Sequence, residues 1–409
     1  MESRLLTTAM VLVILATLHQ YWERLAAGLG LAPDTAYSHV LRREDTSRVR
    51  ADRWLEARAR ARHNAVTVTG RRYGETGAFA AGEVRAAAFR IPVAAGEQLR
   101  VALPMVAPAP GDLLGELYRA RGDRWEPVQN LRHGRPVVMP AAEEQQDYLL
   151  LLQPRSSHAV HYRLEISRGG SLPFPVANAG VDRIWSFFGD ARANGARLHE
   201  GVDVFVDRGT VVHAVVDGYV RTTVNPMGGK VVWLIEAGTG IRYYYAHLDT
   251  IAVPHRVRVR QGAVLGTVGN TGNARTTPPH LHFGIYLSPR RAVDPLPYLQ
   301  PPPERDFLLV DMPATRPPVL GQRQVTADWL NLRAGPEKTA EIVGKLRESS
   351  TVQVVAAAHG PWKRVQLGDG RAGFVHRDWL TTPVADDRIL AAGDDEGQAD
   401  SDLFTRPRE

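Results

Sequence analysis

Three segments of this sequence carry residue types that bind metal ions. His199 and Asp203 lie four positions apart, His247 follows, and His280 and His282 are separated by one residue. Alternate residues of a strand project from the same face, so the last two predict a short strand whose imidazoles face a common centre. We therefore expect these segments to meet in one site.

The spacing of the first pair constrains the backbone. On a straight strand, His199 and Asp203 would be separated by about 13 Å, too far for two donors that each lie about 2 Å from one ion. We expect the chain to bend between them, and Gly201 supplies that freedom because glycine adopts backbone angles closed to other residues.

The 409-residue chain has no cysteine, which excludes disulfide scaffolds, thiol nucleophiles and cysteine-ligated metals. A set of neutral imidazoles and a carboxylate suits zinc, and catalytic zinc sites use three protein ligands and leave the fourth position to water. Five candidates exceed three ligands. The remaining histidines are then available to move protons and to stabilise charge beside the metal.

The order and spacing of these residues resemble the lysostaphin-type (LytM-type) zinc metallopeptidases over about residues 195–297. Further matching positions are Gly209, Thr210, Ala214, Asp217, Gly218, Gly262, Leu265, Gly266, the segment 268–272, and the segment 279–283 that contains His-Leu-His-Phe. The resemblance implies a catalytic domain built on an antiparallel β-sheet. It implies one zinc ion per catalytic domain, bound by His199, Asp203 and His282, with His247 and His280 as unliganded catalytic residues. It also implies hydrolysis of peptide bonds in peptidoglycan.

The sequence departs from that family in one respect. Some members have a tyrosine a few residues upstream of the first ligand, whereas residues 191–198 contain none. Arg192, Arg197 or a residue from elsewhere substitutes, or the histidine pair suffices. The sequence does not decide which histidine accepts a proton. The run Tyr243, Tyr244 and Tyr245 is typical of strand packing, the alternative being that one of them lines the cleft.

The N-terminus predicts export. An apolar run at residues 5–18 is the length of a signal-peptide core and shorter than the roughly twenty residues that span a bilayer. Tyr21 and Trp22 are typical interfacial anchors, which favours an uncleaved anchor of residues 5–22 in the inner membrane over a cleaved signal or a buried helix. The expected location is the periplasm or the outer face of the inner membrane.

The rest of the chain predicts a mainly β, multidomain protein. Residues 41–63 are rich in Arg and Ala and indicate a helical, solvated connection. The strand-like segments 88–93, 98–103 and 161–166 indicate a β-sandwich that resembles pre-peptidase domains of secreted proteases. The predicted divisions are an N-terminal signal or anchor (1–30), a helical linker (31–63), the sandwich (64–170), the metallopeptidase domain (171–300), a Pro-rich linker (301–320), a small barrel (321–383) and an acidic disordered tail (384–409).

The small barrel resembles bacterial SH3-like domains. The resemblance is carried by residues 330–336, 362–365 and 373–380. Such domains commonly bind peptidoglycan in exported wall enzymes, so a targeting role is expected, with a structural appendage as the alternative. Trp329, Trp362 and Trp379 are candidates for core anchors or for ligand platforms.

The charge distribution points to anionic partners. The net charge is +6; residues 385–409 carry eight acids and three arginines, so the tail is −5 and the remainder is +11. Such a surface attracts polyanions such as wall polymers and anionic lipids, and no aromatic-rich basic ladder indicates a nucleic-acid partner. The rival interpretation is an inactive relative that binds the wall and activates an amidase. No recognisable pattern in the sequence indicates a protein partner of this chain, the peptide bond that it cleaves or its oligomeric state.

Overall fold

The computed structural model describes residues 48–289, 291–301 and 320–383, and this part of the chain is mainly β. The predicted anchor at residues 5–22 and the acidic tail lie outside the described residues. Within the described residues, neither helix has the length and hydrophobicity of a membrane-spanning segment.

The N-terminal sandwich consists of two packed sheets. Its strands are β1 (Val66–Thr67), β2 (Arg72–Phe79), β3 (Ala87–Val93), β4 (Glu97–Ala107), β5 (Leu113–Arg121), β6 (Arg124–Asn130), β7 (Val137–Met139), β8 (Gln146–Pro154) and β9 (Val160–Gly170). One sheet has the order β1-β3-β8-β5-β6, and the other contains β2-β9-β4-β7. The three predicted strands are confirmed within β3, β4 and β9.

The first helix, α1 (Arg48–His63), differs from the predicted solvated connection. It packs on the outer face of the first sheet, where Trp54 Nε1 donates to Pro154 O at 3.1 Å and the buried Arg58 forms an ion pair with Glu116. The continuous apolar run in β8 follows from this packing. Leu150 and Leu152 face the sandwich core, while Leu149 and Leu151 lie on the side that the helix covers.

The middle block contains a ten-stranded antiparallel sheet with the central order β10-β13-β20-β17-β16-β15-β18. Its elements are β10 (Ile184–Ser186), β11 (Ala191–Arg192), β12 (Arg197–Leu198), β13 (Val202–Phe205), β14 (Val211–His213), β15 (Gly218–Asn225), β16 (Gly229–Glu236), β17 (Arg242–Ile251), β18 (Arg258–Val259), β19 (Val264–Val268), β20 (His280–Ser288), β21 (Arg291–Val293) and α2 (Leu296–Leu299). Strands β11 and β12 form a separate two-stranded ribbon. A single apolar cluster fills the interior of the block.

The end of the middle block packs on the sandwich. Tyr298, in α2, is 7% exposed and its carbonyl accepts from the Leu172 backbone at 3.0 Å. Arg71, just before β2, donates to the Gln300 and Pro301 carbonyls at 3.0 and 2.8 Å. Backbone and side-chain hydrogen bonds therefore hold the end of the middle block to the region where the sandwich leads into that block.

The C-terminal barrel is built from β22 (Gly321–Val325), β23 (Trp329–Arg333), β24 (Ile342–Arg347), β25 (Thr351–Ala358), β26 (Trp362–Gln366), β27 (Ala372–His376) and β28 (Leu380–Thr381). Strand β25 pairs antiparallel with β2, Glu75 lying opposite Ala358 and Gly77 opposite Ala356. The barrel and half of the sandwich thus form one eleven-stranded sheet. Because β2 and β25 are far apart in sequence, local strand patterns do not predict this pairing.

A buried ion pair crosses the junction between sandwich and barrel. Arg364 donates through Nε and Nη2 to the two carboxylate oxygens of Glu75 at 2.7 and 2.9 Å, and the hydroxyls of Tyr73 and Tyr162 donate to the same carboxylate. Trp362 is 8% exposed and belongs to the sandwich core cluster, so it is a core anchor and not a ligand platform. Trp329 and Trp379 are half exposed.

Candidate metal centre

The strand register brings the metal-binding residue types together. Strands β13 and β20 pair antiparallel, with Asp203 directly opposite His282 and Phe205 directly opposite His280. Residues opposite each other in an antiparallel pair share a face. The predicted strand that carries His280 and His282 is confirmed, and both histidines lie in the same cleft.

His199 reaches this face from the segment before β13, and Gly201 permits the approach for a reason other than the predicted one. The backbone of Gly201 is not in the left-handed region. Instead, a Cβ at this position would lie 2.5 Å from the Phe283 carbonyl oxygen and 2.8 Å from Cε1 of His282. Gly201 is required because the two strands approach too closely for any side chain.

Three donor atoms converge at the cleft floor. His199 Nε2 lies 3.0 Å from Asp203 Oδ1 and 2.9 Å from His282 Nδ1, and the last two atoms are 2.9 Å apart. Among the described residues these three side chains form a group that could hold a metal ion. Donors about 2.0–2.1 Å from a tetrahedral zinc ion lie roughly 3.3 Å from one another, so the triangle fits such an ion after movements of a few tenths of an ångström.

The outer contacts of His199 support this interpretation. Its Nδ1 lies 2.8 Å from the Phe187 carbonyl oxygen, which can only accept, so Nδ1 carries a proton and Nε2 presents a lone pair to the triangle. A hydrogen bond from a metal-binding histidine to a carbonyl is the usual way to fix its tautomer. A cation at the centre satisfies all three donor atoms at once, whereas a proton is shared by two.

The charge states also suit a cation. Burial raises the pKa of the Asp203 carboxyl, but contacts with the His199 and His282 rings outweigh burial and lower the pKa well below its ordinary value. Burial lowers the pKa of His282, which keeps that imidazole neutral despite its contact with Asp203. A charged carboxylate and neutral imidazoles are the forms in which these side chains bind metals.

His247 reaches the cleft through an unusual backbone conformation. In β17, alternation places Tyr244 and Ala246 in the cleft and Tyr245 in the core, so His247 would also point into the core. It lies instead in the left-handed region with φ of 62°, which turns its side chain to the cleft side. Strained backbone of this kind is concentrated at functional sites.

Both remaining histidines have a fixed orientation. His247 Nδ1 donates to the Thr271 carbonyl at 2.8 Å, and His280 Nδ1 donates to the Pro278 carbonyl at 2.9 Å. Each ring therefore leaves Nε2 free, and the ring centres are 5.0 Å apart. Burial, followed by the neighbouring His280, lowers the pKa of His247 to about 4, so this imidazole is neutral at pH 7.

Arg192 contacts a predicted ligand directly. Its Nη2 donates to Asp203 Oδ2 at 3.0 Å and to the Ser186 hydroxyl, and the same hydroxyl lies 3.2 Å from His199 Nδ1. Arg192 thus contacts Asp203 directly and is connected to His199 through the Ser186 hydroxyl. Sequence reasoning named Arg192 but missed Ser186, because a lone serine thirteen residues before His199 carries no recognisable signal.

These residues line an open cleft of about 950 Å³. All of its lining residues lie between 186 and 286, so no described residue of the sandwich covers it. Tyr244 lines the cleft, whereas Tyr243 and Tyr245 are buried, which confirms strand packing for two of the three tyrosines. Sequence reasoning missed Phe205, Trp233 and Tyr286; the last could have been found, because it lies four residues beyond His282 on the same strand face.

Comparison with known proteins agrees with this geometry. Residues 197–295 match peptidase family M23, and residues 328–381 match the bacterial SH3 domain. The chain contains a peptidase family M23 domain and a bacterial SH3 domain. The M23 match includes all five predicted site residues, and the SH3 match covers most of the C-terminal barrel.

The M23 domain is similar to parts of curated bacterial enzymes. Over 107 residues the chain is 37% identical to the glycyl-glycine endopeptidase ALE-1 of Staphylococcus capitis, a match that covers 25% of this chain and 29% of that protein. Over 148 residues the chain is 37% identical to an L-Ala–D-Glu endopeptidase of Bacillus subtilis, a match that covers 32% of this chain and 43% of that protein. The chain therefore spans less than half the length of these relatives.

A solved structure is also similar to part of this chain. The catalytic domain of lysostaphin from Staphylococcus simulans is 34% identical over 28% of this chain and 88% of that chain, with a TM-score of 0.26.

Proposed function

We propose that this protein is an exported zinc metalloendopeptidase that hydrolyses peptide bonds in peptidoglycan. The observation that carries the proposal is the single cleft in which three donor atoms lie 2.9–3.0 Å apart and two further histidines present free Nε2 atoms. The names of the similar enzymes, a glycyl-glycine endopeptidase and an L-Ala–D-Glu endopeptidase, support the substrate class.

His199, Asp203 and His282 would hold the ion. When bound, zinc acts as a Lewis acid that polarises a peptide carbonyl and makes water nucleophilic near neutral pH. Arg192 binds the second oxygen of Asp203, which leaves Oδ1 directed at the donor triangle. The Phe187 carbonyl holds the His199 ring in the tautomer that presents Nε2.

His247 and His280 would move the protons. With Nδ1 of each ring held by a backbone carbonyl, Nε2 is the atom that exchanges a proton with a group in the cleft. One imidazole accepts the proton of the attacking water at Nε2 and so becomes an imidazolium. The proton for the developing oxyanion or the leaving amine comes from a ring in that doubly protonated form, either the one that has just accepted the proton or its neighbour if it is already charged. No tyrosine lies on the segment 191–198, so the histidine pair and Arg192, which contacts Asp203, are the groups proposed to stabilise the developing charge.

The test uses the full chain with purified peptidoglycan. We expect release of fragments with new amino termini inside the peptide portion, abolished by a chelator and restored by zinc. His280→Ala should abolish release while zinc stays bound, and His255→Ala, at an exposed histidine outside the cleft, should behave as the wild type.

Two outcomes would contradict the proposal. Release of intact stem peptides from the sugar would indicate amidase chemistry. Binding to the wall without release of any fragment would favour the rival interpretation, an inactive relative that activates an amidase. Export and attachment of residues 5–22 to the inner membrane are part of the proposal and are tested by locating the chain in cell fractions.

A further inference from the structure

A short ribbon forms one wall of the cleft and ends at the first donor residue. Strands β11 and β12 pair antiparallel, with Arg192 directly opposite Arg197. Asn194 and Gly195 take left-handed backbone angles in the turn between the strands. The ribbon is anchored at its base, since the His199 backbone donates to the Asp190 carbonyl at 2.9 Å.

The pairing of two arginines on this ribbon is unfavourable by itself. Side chains directly opposite each other in an antiparallel pair lie on the same face, and like charges at such positions destabilise the pair. Both arginines line the cleft. An anion bound in the cleft would offset any repulsion that remains between the two side chains.

The two arginines differ in what neutralises them. Arg192 donates to Asp203 Oδ2 at 3.0 Å. Arg197 is exposed, and within the described residues its guanidinium has no hydrogen bond or ion pair. Glu200, the other acid in the cleft, accepts a hydrogen bond from the Tyr286 hydroxyl at 3.2 Å. Arg197 is therefore an unpaired cation two residues before the donor His199.

We propose that Arg197 binds a carboxylate of the substrate, so that the cleft selects peptides with a free acidic group near the cleaved bond over uncharged peptides such as oligoglycine. A guanidinium matches a carboxylate with two parallel hydrogen bonds, which gives selectivity as well as affinity. This inference rests on the proposed function, because it names the chemistry of the peptide that the same cleft takes. Arg197 is a specificity residue that touches the substrate and does not contact the donor triangle.

The test measures binding, so that it does not depend on turnover. Soluble wall peptides are prepared with free carboxylates and, in a second sample, with those carboxylates converted to amides. Their dissociation constants are measured with full-chain His280→Ala, loaded with zinc. We expect the free acids to bind about 10-fold more tightly than the amides, as for a charged hydrogen-bonded pair at a partly exposed site.

Adding Arg197→Gln should remove this preference, so that both samples bind like the amides. Arg221→Gln changes an exposed arginine that does not line the cleft and should preserve the preference. Zinc affinity should be the same in both arginine variants, which separates peptide recognition from damage to the site.

Equal binding of acids and amides would overturn the inference, and so would a preference that survives Arg197→Gln. Failure of the proposed function looks different. In that case the wild type releases no peptide from peptidoglycan, whatever the binding experiment shows.

Discussion

The buried pair between Glu75 and Arg364 allows a quantitative test of how the barrel is attached. The side chains of Arg364 and Glu75 are 4% and 0% exposed, and they make two direct hydrogen bonds. Arg364→Met keeps an unbranched apolar side chain but removes the guanidinium, and it leaves the Glu75 carboxylate buried without a cation. Breaking one partner of a buried pair typically costs about 3–5 kcal/mol.

The lower end of that range is expected here. The Tyr73 and Tyr162 hydroxyls still donate to Glu75 after the substitution, so the carboxylate is not fully orphaned. About 3 kcal/mol at a urea dependence of about 2 kcal/mol per M corresponds to a midpoint lower by roughly 1.5 M. The assay is urea unfolding of the full chain, followed by circular dichroism and tryptophan fluorescence.

A matched control separates burial from charge. Arg121→Met removes a cation that faces Glu126 on the surface, where both side chains are more than half exposed, so its cost should be about 0–1 kcal/mol. An Arg364→Met midpoint no lower than that of Arg121→Met would refute the shared core of sandwich and barrel. Combining Arg364→Met with Glu75→Leu should recover part of the stability, because no buried charge then remains, while the buried Tyr73 and Tyr162 hydroxyls lose their acceptor.

Three further substitutions test individual contacts of the site and its support. Gly201→Ala places a methyl group 2.5 Å from the Phe283 carbonyl oxygen, so we expect zinc affinity to fall at least 10-fold in a chelator competition. Gly111→Ala is the control, because its added Cβ meets no atom within 4 Å. Thr271→Val removes the hydroxyl that accepts from Lys230 N and donates to Leu248 O, each at 2.9 Å. The rate of peptide release should fall at least 10-fold and the free energy of unfolding by about 1–3 kcal/mol, while zinc stays bound. An unchanged rate would contradict the role of Thr271 in holding His247. Tyr298→Ala should cost about 3 kcal/mol in urea unfolding because the buried ring packs against the sandwich, and a cost no greater than that of Tyr219→Ala, at a partly exposed tyrosine, would contradict that packing.

The sequence predicted the side chains of the site better than the backbone features that position them. His280 and His282 follow from strand alternation, and Asp203 follows from its place in the motif. The left-handed backbone at His247 could not be predicted, since it arises from the bulge where β17 leaves β16 and pairs with β19. The role of Gly201 was predicted from backbone freedom, whereas the structure shows that the close approach of β20 requires it.

Long-range pairing accounts for most of what the sequence did not predict. Strand patterns predicted β3, β4 and β9 correctly, because alternation is a local signal. The contact between Glu75 and Arg364 joins residues 289 positions apart, and β2 pairs with the similarly distant β25; no local pattern specifies either. Likewise, the Arg-rich composition of α1 concealed Trp54 and the buried Arg58, which hold the helix to the sandwich.

Zinc content per chain is the most direct test of the central claim that three specific side chains form the metal centre and two neighbouring histidines do not. Purified full chain should bind one zinc ion, and His199→Ala, Asp203→Ala and His282→Ala should each lose it. His247→Ala and His280→Ala should retain the ion while losing peptide release. Retention of stoichiometric zinc by Asp203→Ala, or loss of zinc from both His247→Ala and His280→Ala, would contradict the assignment.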